Sequence, residues 1–271
     1  LRAAAESREP PPPAYPCVSI RAGWGRALEK AVLAVYSAGL PGVALDGEVP
    51  LDADALPPEL VRVLSRGDHG TSVSFRDVRA DPLEVLEAMA GEVGAALKLF
   101  VNSLEGASAE RWEEIHGIER RLDLLSHVMM RLTIRKVVET ALRRGLDSST
   151  LLRAILDVVV SKVLEDVSDC LDRSAYRAEE LSTVSRDYVA LLREAGDVGM
   201  EAVECYLRRC SVEEVLPQLG RASELRRRLK DVVASSAPPL LPLLAELEVM
   251  VTLIEDLLET SLVRVYSTMY G

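Results

Sequence analysis

The chain has 271 residues, with 43 acidic against 32 basic side chains and a formal charge of −11, which argues against an electrostatic grip on nucleic acid as its main task. Hydrophobic residues make up 48% but aromatic ones only 4%, so the core must be built from Leu, Val, Ile and Ala, a composition that suits helices better than a β-sandwich. Charged residues of both signs, at 28%, argue against wholesale disorder, and the length allows one large domain or two smaller ones. The four cysteines are too few and too scattered for a disulfide framework and include no CxxC pair, which points to a reducing, cytoplasmic setting. No run approaches about 18 apolar residues, and the proline-rich start has no apolar leader segment, so neither a membrane span nor export is expected.

Residues 1–80 carry 9 basic and 10 acidic side chains, so the acidity belongs to the rest of the chain. Here Pro10 to Pro13 read as an extended lead-in and Val18 to Ile20 as a short strand. Gly25 to Ala38 reads as a helix with Leu28, Ala31, Val32 and Tyr36 on one side, stopped by Gly39. Val43 to Leu45 predicts a second strand, Pro57 to Ser65 a short helix, and Thr71 to Val78 a strand in which Val73 and Phe75 alternate with polar neighbours. The expectation is a small α/β domain over 1–80.

From Asp81 onward apolar residues recur at three-four spacing and strand signals vanish. Six helices are predicted, near 82–104, 108–143, 148–182, 184–208, 211–235 and 240–268. Ser211 with Glu214 forms a capping box, Gly145 suits a left-handed helix stop, and Pro238 with Pro239 separates the last two helices. An internal repeat stands out: Ala90-Gly91-Glu92-Val93-Gly94 recurs 105 positions later as Ala195-Gly196-Asp197-Val198-Gly199. Mid-helix glycine costs about 1 kcal/mol relative to alanine, so its recurrence suggests close helix approach. A second echo, at an offset of 90, relates Leu164-Glu165-Asp166, Asp169 and Tyr176 to Ile254-Glu255-Asp256, Glu259 and Tyr266. The predicted fold class is therefore mainly α: a six-helix bundle of two three-helix repeats, 81–183 and 184–271, behind the α/β domain.

At about 100° per residue, the third helix puts Leu152, Leu156, Val159, Val163, Val167 and Leu171 on one stripe and turns Glu165 and Asp169 outward. The second helix has an apolar stripe of Ile115, Ile118, Leu122, Leu125, Met129 and Leu132, with His116, Glu119, Asp123 and His127 aligned along another side. Carboxylates four apart can hold hard or borderline cations, and histidines on the same line add nitrogen ligands that suit Fe, Mn, Zn or Ni. Ordinary solvated helix charges are the plain alternative. Glu113 to His116 spells ExxH, but a di-iron bundle needs a second ExxH, and none exists here. There is no Walker A loop, GxGxxG or GxSxG, so no catalytic residue is assigned. The Arg226, Arg227, Arg228 and Lys230 run reads as a solvated face or as a contact for phosphate or an acidic partner.

These features resemble the PhoU family of phosphate-uptake regulators, whose fold is two three-helix repeats. The likeness covers the six-helix region. Family helices carry an E(D)xxxD motif, often within LERIGDHAVNIAE; the matching text is Leu164-Glu165-Asp166-Val167-Ser168-Asp169-Cys170, in which the family's Arg, Gly and His become Asp166, Ser168 and Cys170. Glu119-Arg120-Arg121-Leu122-Asp123 matches the companion motif. Glu255 and Glu259 keep the acidic pair in the second repeat, but its companion helix offers Ala222 and Arg226. The N-terminal segment resembles that of archaeal PhoU-like regulators, in which a small α/β segment adjoins an AbrB-like element. Val18-Ser19-Ile20 and Trp24 resemble that element's VSLPxxW opening, but its Gly-Asp turn and following strands are absent, so DNA binding is not carried over.

The resemblance implies a cytoplasmic, non-enzymatic regulator, a homodimer that docks onto the ATPase of a phosphate ABC transporter and onto a sensor kinase. It also implies iron or zinc held by Glu119, Asp123, Glu165 and Asp169, and by Glu255 and Glu259 in the second repeat; His116 and His127, aligned on the second helix, are the further candidate ligands that spacing adds. The alternatives are a metal-dependent helical-bundle enzyme using the His116, Glu119, Asp123, His127 line, or a scaffold whose carboxylates bind nothing.

Overall fold

Strand β1 (Cys17–Ser19) runs parallel to β2 (Gly42–Asp46), with Val18 opposite Leu45, and helix α1 (Arg26–Ser37) makes the crossover that parallel neighbours require. The computed structural model describes residues 17–19, 26–46, 56–67, 70–106, 111–145, 147–181 and 184–269; Pro10 to Pro13, Ile20, Trp24 and His69 lie outside the described residues. It divides into two units, Leu1–Asp77 and Val78–Gly271.

In the first unit β4 (Gly70–Phe75) pairs antiparallel with β2, Val43 facing Val73, and also with β3 (Val61–Gly67), giving the order β1-β2-β4-β3. The expected helix over 57–65 is not there: residues 58–60 form a turn and a strand follows. The reason is tertiary, because β-branched Val61 and Val63 find a hydrogen-bonding partner in β4 that lies outside any local window. Tyr36 of α1 is fully buried with its ring edge-on to Phe75 at 5.3 Å, among Leu28, Val32, Val43 and Val73.

The second unit is mainly helical: α2 (Pro82–Leu104), α3 (Arg111–Arg144), α4 (Ser148–Glu179), α5 (Arg186–Arg208), α6 (Val212–Ser235) and α7 (Leu241–Met269). Local chemistry explains the ends. The Asp81 carboxylate accepts from the Leu83 N–H at 2.9 Å, and the Asp147 carboxylate from the Thr150 N–H at 2.7 Å. The Glu214 carboxylate accepts from the Ser211 N–H at 2.7 Å. Gly145 ends α3 at φ 76, a left-handed conformation that side chains resist. None of the helices among the described residues is long and apolar enough to cross a membrane.

Helices α2, α3 and α4 pack on one another, as do α5, α6 and α7, and the two sets meet through α4 against α7 and α2 against α5. The α2–α5 seam uses two of the repeated glycines, and a third lies against α7. A Cβ on Gly94 would come within 3.3 Å of Met200, one on Gly196 within 3.4 Å of Leu97, and one on Gly199 within 3.2 Å of Ile254 in α7, whereas one on Gly91 would meet nothing within 4 Å. Three of the four glycines thus permit close approach and the fourth does not. Gly91→Ala therefore stabilises the protein by about 1 kcal/mol through helix propensity alone, while Gly199→Ala gives no such gain because Ile254 must move. Urea denaturation of the two variants checks this; equal effects would remove the distinction.

Cys205, near the end of α5, and Cys210 are joined as a disulfide across the left-handed Arg209. This one local bridge is not what the scattered cysteines without a CxxC pair suggest: the helix cap folds the chain back and brings their Cα atoms to 4.8 Å, within reach of the bond. Cys170 is free and buried.

Candidate functional site

Helix α3 buries Ile115, Ile118, Leu122, Met129 and Leu132 as its periodicity predicts, and this turns the His116, Glu119, Asp123, His127 line toward the margin it shares with α4. On α4 the buried stripe is wider than expected. Val160, Leu164 and Cys170 join Leu156, Val163, Val167 and Leu171 in the interior, while Val159 is exposed. Packing against α2, α3 and α7 together leaves α4 only a narrow outer strip. For that reason Glu165 and Asp169 do not point freely into water as their helical phase alone suggests. The Glu119 and Glu165 side chains are only 17% and 16% exposed.

Five carboxylates converge along the α3–α4 margin: Glu119, Asp123, Glu165, Asp169 and Asp172, the last not singled out from the sequence. Burial, then the charges of Asp123, Asp172 and Asp169, push the Glu119 carboxyl up to about 7, against a smaller opposing pull from His116. Asp123 is pushed up to about 6 by burial and by Glu165, which it meets directly. Asp169 is raised in the same direction, mainly by burial. The cause is common to all three: more negative charge than nearby cations balance, in a place where water is partly excluded.

Local cations are few and sit at the edges. Lys162 Nζ lies 2.8 Å from Glu165 Oε1 and 2.9 Å from Asp166 Oδ1, and Arg173 Nη1 lies 3.5 Å from Asp169 Oδ2. The Ser126 hydroxyl donates to Glu165 Oε2 at 3.2 Å. His116 Nδ1 sits 3.3 Å from Asp172 Oδ1 and 3.7 Å from Glu119 Oε2, its ring stacked on Trp112. His127 is half-buried, and burial lowers its pKa, so it is a neutral imidazole at pH 7. Both histidines therefore border the carboxylates rather than standing apart. Among the described residues no three His, Cys, Asp or Glu side chains converge closely enough, as they stand, to hold a metal ion. The donor set is nonetheless of the right chemistry, oxygen ligands from two rigid helices with a neutral imidazole beside them.

The second half differs. Glu255 is 2.7 Å from Arg226 Nη1, and Glu259 is exposed. The three arginines of the α6 run are paired within the protein: Arg226 with Glu255, Arg227 with Glu224 and Asp231, and Arg228 with Glu194 at 2.5 Å. That arrangement favours the solvated-face reading of the run over a phosphate contact. Asp172 could have been found in the sequence, since it continues the Glu165, Asp169 face by one further turn. Ser126 carries no sequence signal, because its role depends on the approach of α3 to α4, whereas Lys162 is legible from its i,i+3 and i,i+4 spacing to Glu165 and Asp166 on the same helix.

No protein-family model matches the chain, and no curated protein matches it with significance.

Proposed function

We propose that the chain is a PhoU-like regulator of phosphate uptake or its signalling, built as two three-helix repeats and acting by docking onto protein partners rather than by catalysis. The observation that carries this reading is the pairing of helices between the two sets. α2 packs on α5 and α4 on α7, the same pairs that the offsets of 105 and 90 relate in sequence. Ion pairs at the α4–α7 seam agree. Arg173 and Arg177 of α4 reach Glu246 of α7 at 3.1 and 2.7 Å, while Arg264 of α7 reaches Asp157 of α4 at 3.5 Å. Shifted by 90 positions, Arg264 falls on Ser174 and Glu246 on Leu156, beside Arg173 and Asp157. Two antiparallel helices related by an approximate twofold axis exchange contacts in this way.

In this reading Glu119, Asp123, Glu165 and Asp169 hold a cation, iron or zinc by resemblance, with Asp172, His116 and His127 at the border. The bound ion supplies positive charge that relieves the repulsion among the carboxylates. Ser126 and Lys162 orient Glu165, and Arg173 steadies Asp169. The partners by resemblance are the ATPase of a phosphate ABC transporter and a sensor kinase, which puts the protein in the cytoplasm, as a homodimer. Elemental analysis of the purified protein beside a Glu165→Ala, Asp169→Ala variant tests the metal part: iron or zinc is expected in the first and lost from the second, and negligible metal in both ends it. Co-purification with the transporter ATPase tests docking, and failure to associate at any nucleotide state ends that part.

A further inference from the structure

Helix α6 puts Arg226 where α3 puts Asp123. Arg226 Nη1 lies 2.7 Å from Glu255 Oε2, and its Nη2 donates to Thr252 Oγ1 at 2.6 Å. In the other half Asp123 faces Glu165, which stands 90 positions before Glu255. One place in the repeat is thus occupied by two carboxylates in the first half and by a carboxylate with a guanidinium in the second. The surroundings change in the same sense. The position of Glu119 becomes Ala222, fully buried and uncharged, and that of Lys162 becomes Thr252, the hydroxyl that accepts from Arg226. Where the first half gathers carboxylates short of cations, the second brings its own cation and has no need of Lys162.

We infer that Arg226 is a built-in counter-ion that closes the second half to metal, so that cation binding is confined to the α3–α4 carboxylates. The inference rests on the metal reading of the first half and contradicts what the acidic pair Glu255 and Glu259 alone would suggest. A guanidinium does not release its proton at any ordinary pH, and its planar fork holds Glu255 and Thr252 together. An incoming divalent ion would have to displace it against like-charge repulsion, using fewer carboxylates than the first half offers.

Titration of the full chain with Mn2+, followed by electron paramagnetic resonance, tests this. Wild type is expected to bind Mn2+, and Glu165→Gln with Asp169→Asn to weaken binding by about tenfold or more. Adding Arg226→Asp to that double variant is expected to restore about tenfold tighter binding through the second half. The inference is overturned if folded Arg226→Asp protein gains no Mn2+, or if the double variant keeps binding that Glu255→Gln abolishes. A wild type that binds nothing, beside an Arg226→Asp variant that binds, ends the metal reading of the first half but leaves the role of Arg226 standing. Should Arg226→Asp not fold, Arg226→Gln in the double-variant background replaces it. Its melting temperature should then rise by about a few degrees with Mn2+, and no shift overturns the inference.

Discussion

Asp157→Ala lowers the free energy of unfolding by about 3–5 kcal/mol, and adding Arg264→Met recovers most of that loss. Arg264 is 5% exposed, deep between α4, α5 and α7, and its guanidinium lies 4.2 Å from the centre of the Tyr206 ring. Asp157 is its counter-charge at 3.5 Å and also accepts the Tyr206 hydroxyl at 2.6 Å. Burial and the Asp157 charge push the Tyr206 phenol well above its ordinary pKa, so it stays protonated and keeps donating. Removing Asp157 strands a buried cation that cannot shed its proton, together with a phenol that has lost its acceptor. The ring face offsets only part of this, about 2 kcal/mol for a desolvated cation. Methionine at 264 removes the stranded charge while filling similar volume, which is why the double variant recovers. Urea denaturation of the single and double variants decides it. A single-variant loss below about 1 kcal/mol, or a double variant no better than the single, would contradict the account. Glu224→Ala, which breaks only the exposed pair with Arg227, is the control and should leave the transition unchanged.

The protein in EDTA loses stability as the pH rises from about 4.5 to about 7. Glu119 has its native pKa pushed up to about 7 from an ordinary 4.5, and Asp123 to about 6 from 3.8. Between those values the native state holds protons that the unfolded chain has released, so each step up in pH favours unfolding, and the effect levels off above about pH 7. Allowing for solvent screening at this half-buried margin, the loss is on the order of 1 kcal/mol. His127 works in the opposite direction, since burial favours its neutral form, and opposes part of the fall. Thermal melts in EDTA at pH 5 and pH 7.5, repeated with Glu119→Gln, check the sign. The wild type should melt lower at pH 7.5, the variant should lose most of that difference, and a wild type that is more stable at pH 7.5 would refute the charge imbalance.

Much of the helical unit was legible in the sequence because its signals are local. Asp81, Asp147, Ser211 with Glu214, and Gly145 terminate helices through groups within a few residues, and the observed spans fall close to the predicted ones. The strand at Val61–Gly67 was read as helix because its partner β4 is a matter of pairing, not of propensity. The acidic residues were likewise identifiable by type and spacing, as were His116 and His127, whereas their surroundings were not. Helical phase gave Glu165 and Asp169 an outward direction, but only the packing of α4 among three neighbours shows that outward there means toward α3. Glu255 and Arg226 are marked by the repeat in the sequence, but that they pair with each other appears only when α6 lies along α7. The amino-acid order by itself determined closely where the helices of the second unit begin and end and, α4 apart, which side of them is apolar, since those depend on neighbours three or four residues away. Which charges meet, and so which carboxylates lack a counter-ion, was decided only by the tertiary fold, because Coulomb interactions act across space between residues that the chain holds far apart.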